Sequence, residues 1–461
     1  MLRATSCNMQ IGAELAEMLA GSWRQSSFRK RTLSSEDLRN HASLLASAGI
    51  AALAWFRIRR HTSELSPQVV NFYYREYLGS TMRAAVQEAE LERLMEAFHA
   101  AGIRSILLKG WSVSRLYPES GLRPSGDIDL WIDPEQRGAA EVLLRDLALT
   151  QALDLEHDQL RRFEDRSFAE FYASCESVQL GSTQVKVLRR EEQVRMLCLH
   201  FLKHGGWRPI WLCDIAIVLE SQNGAFAWTR CLGTDARRAR WIGCTVALAR
   251  ELLDARIPLG APSNVTSSPP KWLMETVLRG WSDPRPPSTP ALALSLRSLW
   301  HRPWKMEAAM RSRWRNSIQA TIDCNGTFNG VPRWTYQARD AASRAMHVLP
   351  KVWAFGLPRF TLSRSEQLEM KSAGFLPRQL GIEESWQVSL KIHPAIVAQC
   401  DLALRTKAGV GGSDRHSEQN SCWLGILFSR RMTAEHGRAH ALRLLHLALL
   451  FQARVRRKQD C

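Results

Sequence analysis

The segment that most constrains this chain is Asp127-Ile128-Asp129-Leu130-Trp131-Ile132, two acids set alternately into an otherwise apolar run. Six such residues read as a β-strand, and on a strand successive side chains point to opposite faces. Asp127 and Asp129 therefore share one face, while Ile128, Leu130 and Ile132 point to the other. Two carboxylates about 7 Å apart on one face repel each other unless a cation sits between or beside them. Carboxylate oxygens suit Mg²⁺, which keeps octahedral oxygen coordination and borrows ligands from phosphates. An Asp-x-Asp pair alone also occurs in ordinary surface strands and turns, but those are polar.

The flanking residues supply a sheet around this strand. Upstream, Ser105-Ile106-Leu107-Leu108-Lys109-Gly110 is a short apolar strand ended by glycine. A helix over 111–117 follows, then a loop punctuated by Pro118, Gly121, Pro124 and Gly126. Downstream, 135–149 reads as a helix and 152–158 as a third strand, on which Asp154 and Glu156 share a face. Before the first strand, Met82, Val86, Leu91, Leu94, Met95 and Phe98 recur along one helical face up to a stop at Gly102. Lys109 and Arg123 flank the acids. Each can contact a phosphate, or pair with Asp127 or Asp129 in a metal-free sheet.

The spacing of Leu107-Leu108-Lys109-Gly110, a helix, and Arg123-Pro-Ser-Gly-Asp127-Ile-Asp129-Leu130 resembles an uncharacterised nucleotidyltransferase-like family of the DNA polymerase beta superfamily. The resemblance runs over residues 40–220 and includes 185–219, similar to the helical segment after that family's core. It implies an α+β fold, a mixed sheet flanked by helices. It also implies a Mg²⁺ (or Mn²⁺) dependent transfer of a nucleoside monophosphate from an NTP to an acceptor hydroxyl. Asp127, Asp129 and Asp154 would be the metal-holding catalytic acids, and Lys109, Gly110, Ser112 and Arg123 the nucleotide-binding residues. Gly110-Trp111-Ser112 departs from the family's usual Gly-Ser or Gly-Gly by a bulky ring. A catalytically inactive, nucleotidyltransferase-like binding module is the alternative.

The chain has 461 residues, enough for more than one core. The expected division is a helical region 1–80, the nucleotidyltransferase-like core 81–220, and a mostly helical region 221–461. The last contains Pro/Ser-rich stretches at 261–270 and 281–290, a basic aromatic stretch at 303–316 and a terminal amphipathic helix. Lys plus Arg number 62 against 45 acids, a net +17 that favours anionic ligands such as nucleotides. No aromatic-interleaved basic motif of an RNA-binding module occurs, so the expected acceptor is not nucleic acid. Ten cysteines without a Cys-x-x-Cys pair point to a reducing cytoplasm and away from a zinc ribbon. Residues 1–21 lack a signal peptide's apolar core, and no run is long enough to span a bilayer. The apolar stretch 43–56 reads as one buried helix. His200 and His204 stand one helical turn apart without the Glu of a zinc motif, so they read as structural or as part of a nucleotide-facing helix. Asp214 reads as a helix cap.

Overall fold

Strand alternation in 127–132 sorts the sheet's two faces into two separate cores. In the computed structural model, the described residues are 2–24, 34–124, 126–147, 152–155, 166–221, 225–283 and 314–355. All lie in one unit, Met1–Gly374; the other, Phe375–Cys461, falls outside the described residues. So do Glu156, residues 303–313, most of 281–290, and the expected terminal helix.

The chain opens with helices α1 (Leu2–Leu19), α2 (Ser35–Ser47), α3 (Ala51–Ile58) and α4 (Pro67–Ala100). Ser34 caps α2 in a reciprocal box with Asp37, satisfying donors that the first turn leaves open. The stretch 43–56, expected as one helix, is broken at Ala48-Gly49-Ile50, where Gly49 takes φ +74°. The break gives α3 its own direction, with nearly every residue buried. Pro67 sits at the start of α4, where its missing N–H costs nothing, and Gly102 in left-handed geometry ends the turn after it.

A five-stranded mixed sheet follows, in the order β3-β2-β1-β5-β4. Its strands are β1 (Ser105–Leu107), β2 (Asp127–Ile132), β3 (Ala152–Leu155), β4 (Glu176–Leu180) and β5 (Thr183–Val187). β2 runs antiparallel to β1 and parallel to β3, while β5 runs parallel to β1. The one-turn helix α5 (Trp111–Ser114) joins β1 to the loop before β2, and α6 (Arg137–Leu147) joins β2 to β3. The helix expected over 111–117 is thus limited to its first four residues.

The β4–β5 hairpin was not foreseen, and it corrects the reading of 185–219 as wholly helical. Thr183–Val187 alternates buried and more exposed residues, and Gly181-Ser182 turns the chain back onto β4. The helix α8 (Arg190–Lys203) begins only afterwards, preceded by α7 (Phe168–Ser174). The third strand is therefore not the sheet's last, and the core is larger than three strands.

On one face Ile128, Leu130 and Ile132 join Leu107, Val185 and Val187 against Leu91, Leu94, Met95 and Phe98 of α4 and Ala140 of α6. Burying each of these side chains other than Ala140 contributes about 1.5–3 kcal/mol. Met82, expected on that stripe, is exposed, because the buried face of α4 at that end turns toward the loop before β2. On the other face Ile106, Leu108 and Trp131 pack in the larger core, with Trp131 edge-on to Phe168 of α7 at 5.4 Å. That core also receives α8 and α9 (Pro209–Glu220). The acids of β2 look toward this second face. Helices α10 (Trp228–Leu232), α11 (Ala236–Leu253), α12 (Ser263–Thr266), α13 (Lys271–Trp281), α14 (Ser317–Asp323) and α15 (Arg333–Phe355) complete the described residues. Among these residues no helix is long and apolar enough to cross a membrane.

Candidate active site

The loop between α5 and β2 carries many polar residues, yet it is pinned at nearly every step. Glu119 takes both terminal nitrogens of Arg59 at 2.7 Å, and Tyr77 of α4 donates to it at 3.2 Å. Gly121, at φ +85°, lies so close to α4 that a Cβ would sit 2.3 Å from the Thr81 hydroxyl oxygen and 2.5 Å from its Cα. Only glycine meets both demands. Gln87 of α4 donates to the Asp127 carbonyl at 2.9 Å, fixing the first residue of β2.

Arg123 ties the loop to α9. Its guanidinium makes three hydrogen bonds to the Asp214 carboxylate, at 3.1, 3.1 and 3.0 Å, and Tyr117 donates to the same carboxylate at 2.9 Å. All three residues are buried. Burial opposes the Arg123 charge, but Asp214 outweighs it and holds the guanidinium pKa above its usual value. Burial, then Asp214, pushes the Tyr117 phenol well above its usual range. Asp214 is thus no helix cap; it lies inside α9, whose residues Ile210–Leu219 are apolar on nearly every side. Arg123 is thus paired with Asp214, and the charge of Asp129 acts on it as a smaller influence.

The acids stand on the adjoining strand. Asp127 is exposed at the start of β2, whereas Asp129 is 3% exposed, two residues further in. Lys109 places its ammonium 2.8 Å from one Asp129 oxygen, and both side chains are buried. The backbone holds the two segments together, since the Leu108 N–H donates to the Asp129 carbonyl at 3.1 Å. Gly110 follows at φ 59°, ψ −115°, a conformation barred to residues with a Cβ, and reverses the chain into α5. Ser112 faces inward: its hydroxyl donates to the Leu108 carbonyl at 2.9 Å and accepts from Gln193 of α8 at 3.0 Å. On the far side of β2, the β3 register pairs Asp154 directly with Asp129 and Leu153 with Ile128. Asp127, Asp129 and the Asp154 position thus come together, and Lys109 and Gly110 join them.

Residues of α8 and α9 wall the same region. The rings of His200 and His204 are 4.5 Å apart, and Trp211 lies 4.9 and 5.2 Å from them. Burial, reinforced by Lys109, His204 and Lys203, keeps His200 far below the usual imidazole pKa. Burial and the ammonium groups of Lys203 and Lys109 bring His204 down to about 4, against a small opposing pull from Asp127. The two imidazoles thus lie close enough to feel the charges of Lys109 and, for His204, Asp127. Among the described residues no group of three or more His, Cys, Asp or Glu is assembled to hold a metal ion. The donors offered from β2 are two carboxylates, with a third acid registered beside them. An all-oxygen set of this kind fits Mg²⁺ or Mn²⁺ better than zinc.

Comparison with protein families matches the uncharacterised nucleotidyltransferase family over residues 34–165 and 150–254. Over that span the chain belongs to this family. No curated protein and no solved structure gives a match. The matched span takes in the whole sheet, the pinned loop, α8, α9 and all of α11. Sequence reasoning missed Tyr117 and Asp214 as members of this region. The available signal was Asp214 itself, a lone acid in the apolar run Ile210–Leu219, which needs a buried cation.

Proposed function

We propose that this nucleotidyltransferase-family chain transfers a nucleoside monophosphate from an NTP to an acceptor hydroxyl, in a Mg²⁺- or Mn²⁺-dependent reaction. The observation carrying this reading is the β2–β3 register, which pairs Asp154 with Asp129 on the strand whose exposed end is Asp127. Asp127, Asp129 and Asp154 would hold the metal. Such an ion supplies charge neutralisation on the α-phosphate and the leaving pyrophosphate. Lys109 neutralises Asp129 in the ligand-free chain, and its flexible stem lets the ammonium turn to a phosphate oxygen when the carboxylate takes up a cation. Gly110, with no side chain, lets the backbone approach the triphosphate. Arg123 serves by position: its bond to Asp214 fixes the loop that sets the height of Asp127. Ser112 does the same through α8.

The acceptor is not nucleic acid in this reading, and the +17 charge serves the nucleotide. Salt titration checks this point, because a polyanionic acceptor would lose affinity steeply with added salt. The buried thiols of Cys198, Cys213, Cys231 and Cys244 suit a reducing cytoplasm. The test of the reaction is incubation with α-³²P-labelled NTPs, Mg²⁺ and a cell extract. Label should pass to an acceptor, a γ-label should not, and Asp129→Asn should cut transfer by about a hundredfold or more. Absence of α-label transfer with every NTP and metal would refute the reaction. A second reading, a catalytically inactive nucleotidyltransferase-like binding module, is favoured by the Lys109–Asp129 ion pair and by Trp111 at the turn. It predicts no transfer of label with any NTP and metal.

A further inference from the structure

We infer that the α8–α9 junction is the polyphosphate-binding wall of this site, with Arg208 as the residue that grips the phosphate tail of the nucleotide. The identity of the ligand rests on the transferase reading above, and the place of its anchor on geometry. Arg208 is half-buried, and its guanidinium lies over the Trp211 ring at 6.0 Å. Its only hydrogen bond among the described residues is a long one, from Nε to the Ala48 carbonyl at 3.4 Å. Among those residues no carboxylate lies within ion-pair distance of it.

Other buried and part-buried arginines find either an acid, as Arg24 with Glu220, Arg59 with Glu119 and Arg166 with Glu192, or several oxygens, as Arg333 with Val331, Thr327 and Asn329. Arg208 instead bears a cost, since burial and the nearby Arg123 charge both lower its pKa, offset in part by Asp214 and Asp127. A guanidinium stays charged under such conditions, so it gains most from an arriving anion. The fold also keeps room for it. A Cβ at Gly49 would sit 2.8 Å from one terminal nitrogen of Arg208 and 3.2 Å from Pro124, three residues before Asp127. The guanidinium thus occupies a glycine-lined gap beside the loop that leads into the exposed end of β2. His200 and His204 stand on the same wall with their rings 4.5 Å apart, and each imidazole can offer an N–H to a phosphate oxygen. A planar fork with two imidazoles matches a polyphosphate better than a single carboxylate ligand.

The test is calorimetric titration of the full chain with inorganic tripolyphosphate in metal-free, EDTA-containing buffer. Wild type should bind. Arg208→Ala should bind about ten- to a hundredfold more weakly, Arg208→Lys should fall between, and the exposed Arg237→Ala of α11 should match wild type. No tripolyphosphate binding by wild type, equal binding by Arg208→Ala, or an equal loss in Arg237→Ala overturns the inference. Should Arg208→Ala fail to fold, phenylglyoxal labelling of wild type replaces it. Tripolyphosphate should then slow modification at Arg208, and an unchanged rate overturns the assignment. Loss of α-label transfer in wild type with Arg208-dependent tripolyphosphate binding intact would remove the transferase reading alone. Transfer that survives with an unchanged KM in Arg208→Ala would remove the Arg208 assignment alone.

Discussion

Replacing Asp214 by alanine should unfold the pinned loop's anchor. The carboxylate accepts three hydrogen bonds from Arg123 and one from Tyr117, and it is 0% exposed. Its removal leaves a buried guanidinium without a counter-charge and a buried phenol without an acceptor. Removing one partner of a buried pair costs about 3–5 kcal/mol, and the Tyr117 bond falls within that figure because it shares the same carboxylate. Native domains are stable by only about 5–15 kcal/mol, so the variant should be marginal. At about 2–4 °C per kcal/mol for domains of about 150–250 residues, and less for a longer unit, the melting temperature should drop by at most roughly 6–20 °C. Urea titration followed by tryptophan fluorescence reads the midpoint, and an unchanged slope establishes that compactness is retained. Asp214→Asn keeps an acceptor oxygen and should lose less. The double variant Arg123→Met/Asp214→Leu should recover most of the loss, since it removes both charges together. A fall of under about 1 kcal/mol in Asp214→Ala would refute the reasoning, as would a double variant no better than the single one.

Two further perturbations probe the charges around β2. Lys109→Met should cost up to about 3–5 kcal/mol in EDTA by taking the ammonium at 2.8 Å away from the buried Asp129 carboxylate, and millimolar Mg²⁺ should restore much of it by binding the folded state. A Mg²⁺ effect on melting no larger in Lys109→Met than in wild type would count against cation binding at Asp129. His204, held at about 4 when folded and near 6.5 when unfolded, binds more protons in the unfolded chain between those values. Its contribution is therefore fully present above about pH 6.5 and is lost as pH falls toward 4, to the extent of roughly 3 kcal/mol. His204→Gln should flatten the pH dependence of the urea midpoint across that window; an unaltered dependence would show that the imidazole titrates freely.

Local pattern was enough to read the parts of this fold that depend on near neighbours. Alternation in Asp127–Ile132 assigns Ile128, Leu130 and Ile132 to one core, and the capping box at Ser34 and the stop at Gly102 follow from the chain within a few residues. The family and the α+β class were likewise legible, because Lys109-Gly110 and Arg123-x-x-x-Asp127-Ile-Asp129 lie close together along the chain. The β4–β5 hairpin was within reach as well, from the alternation of Thr183–Val187 and the turn at Gly181, but the apolar helix that follows masks it.

Pairings between distant segments were a different matter. Arg123 and Asp214 are 91 residues apart, and nothing local distinguishes an arginine that will grip phosphate from one that will anchor a loop. Lys109 could have paired with either acid, and only the antiparallel register of β1 on β2 brings it to Asp129. Asp154 became the neighbour of Asp129 through the parallel register of β3, which a crossover helix sets and strand composition does not. The identity of the acid strand was therefore settled by the sequence, because alternation is a property of one segment. The partners of each charge were decided only by the tertiary structure, because a buried charge is neutralised by whichever opposite group the packing of separate elements brings within about 3 Å.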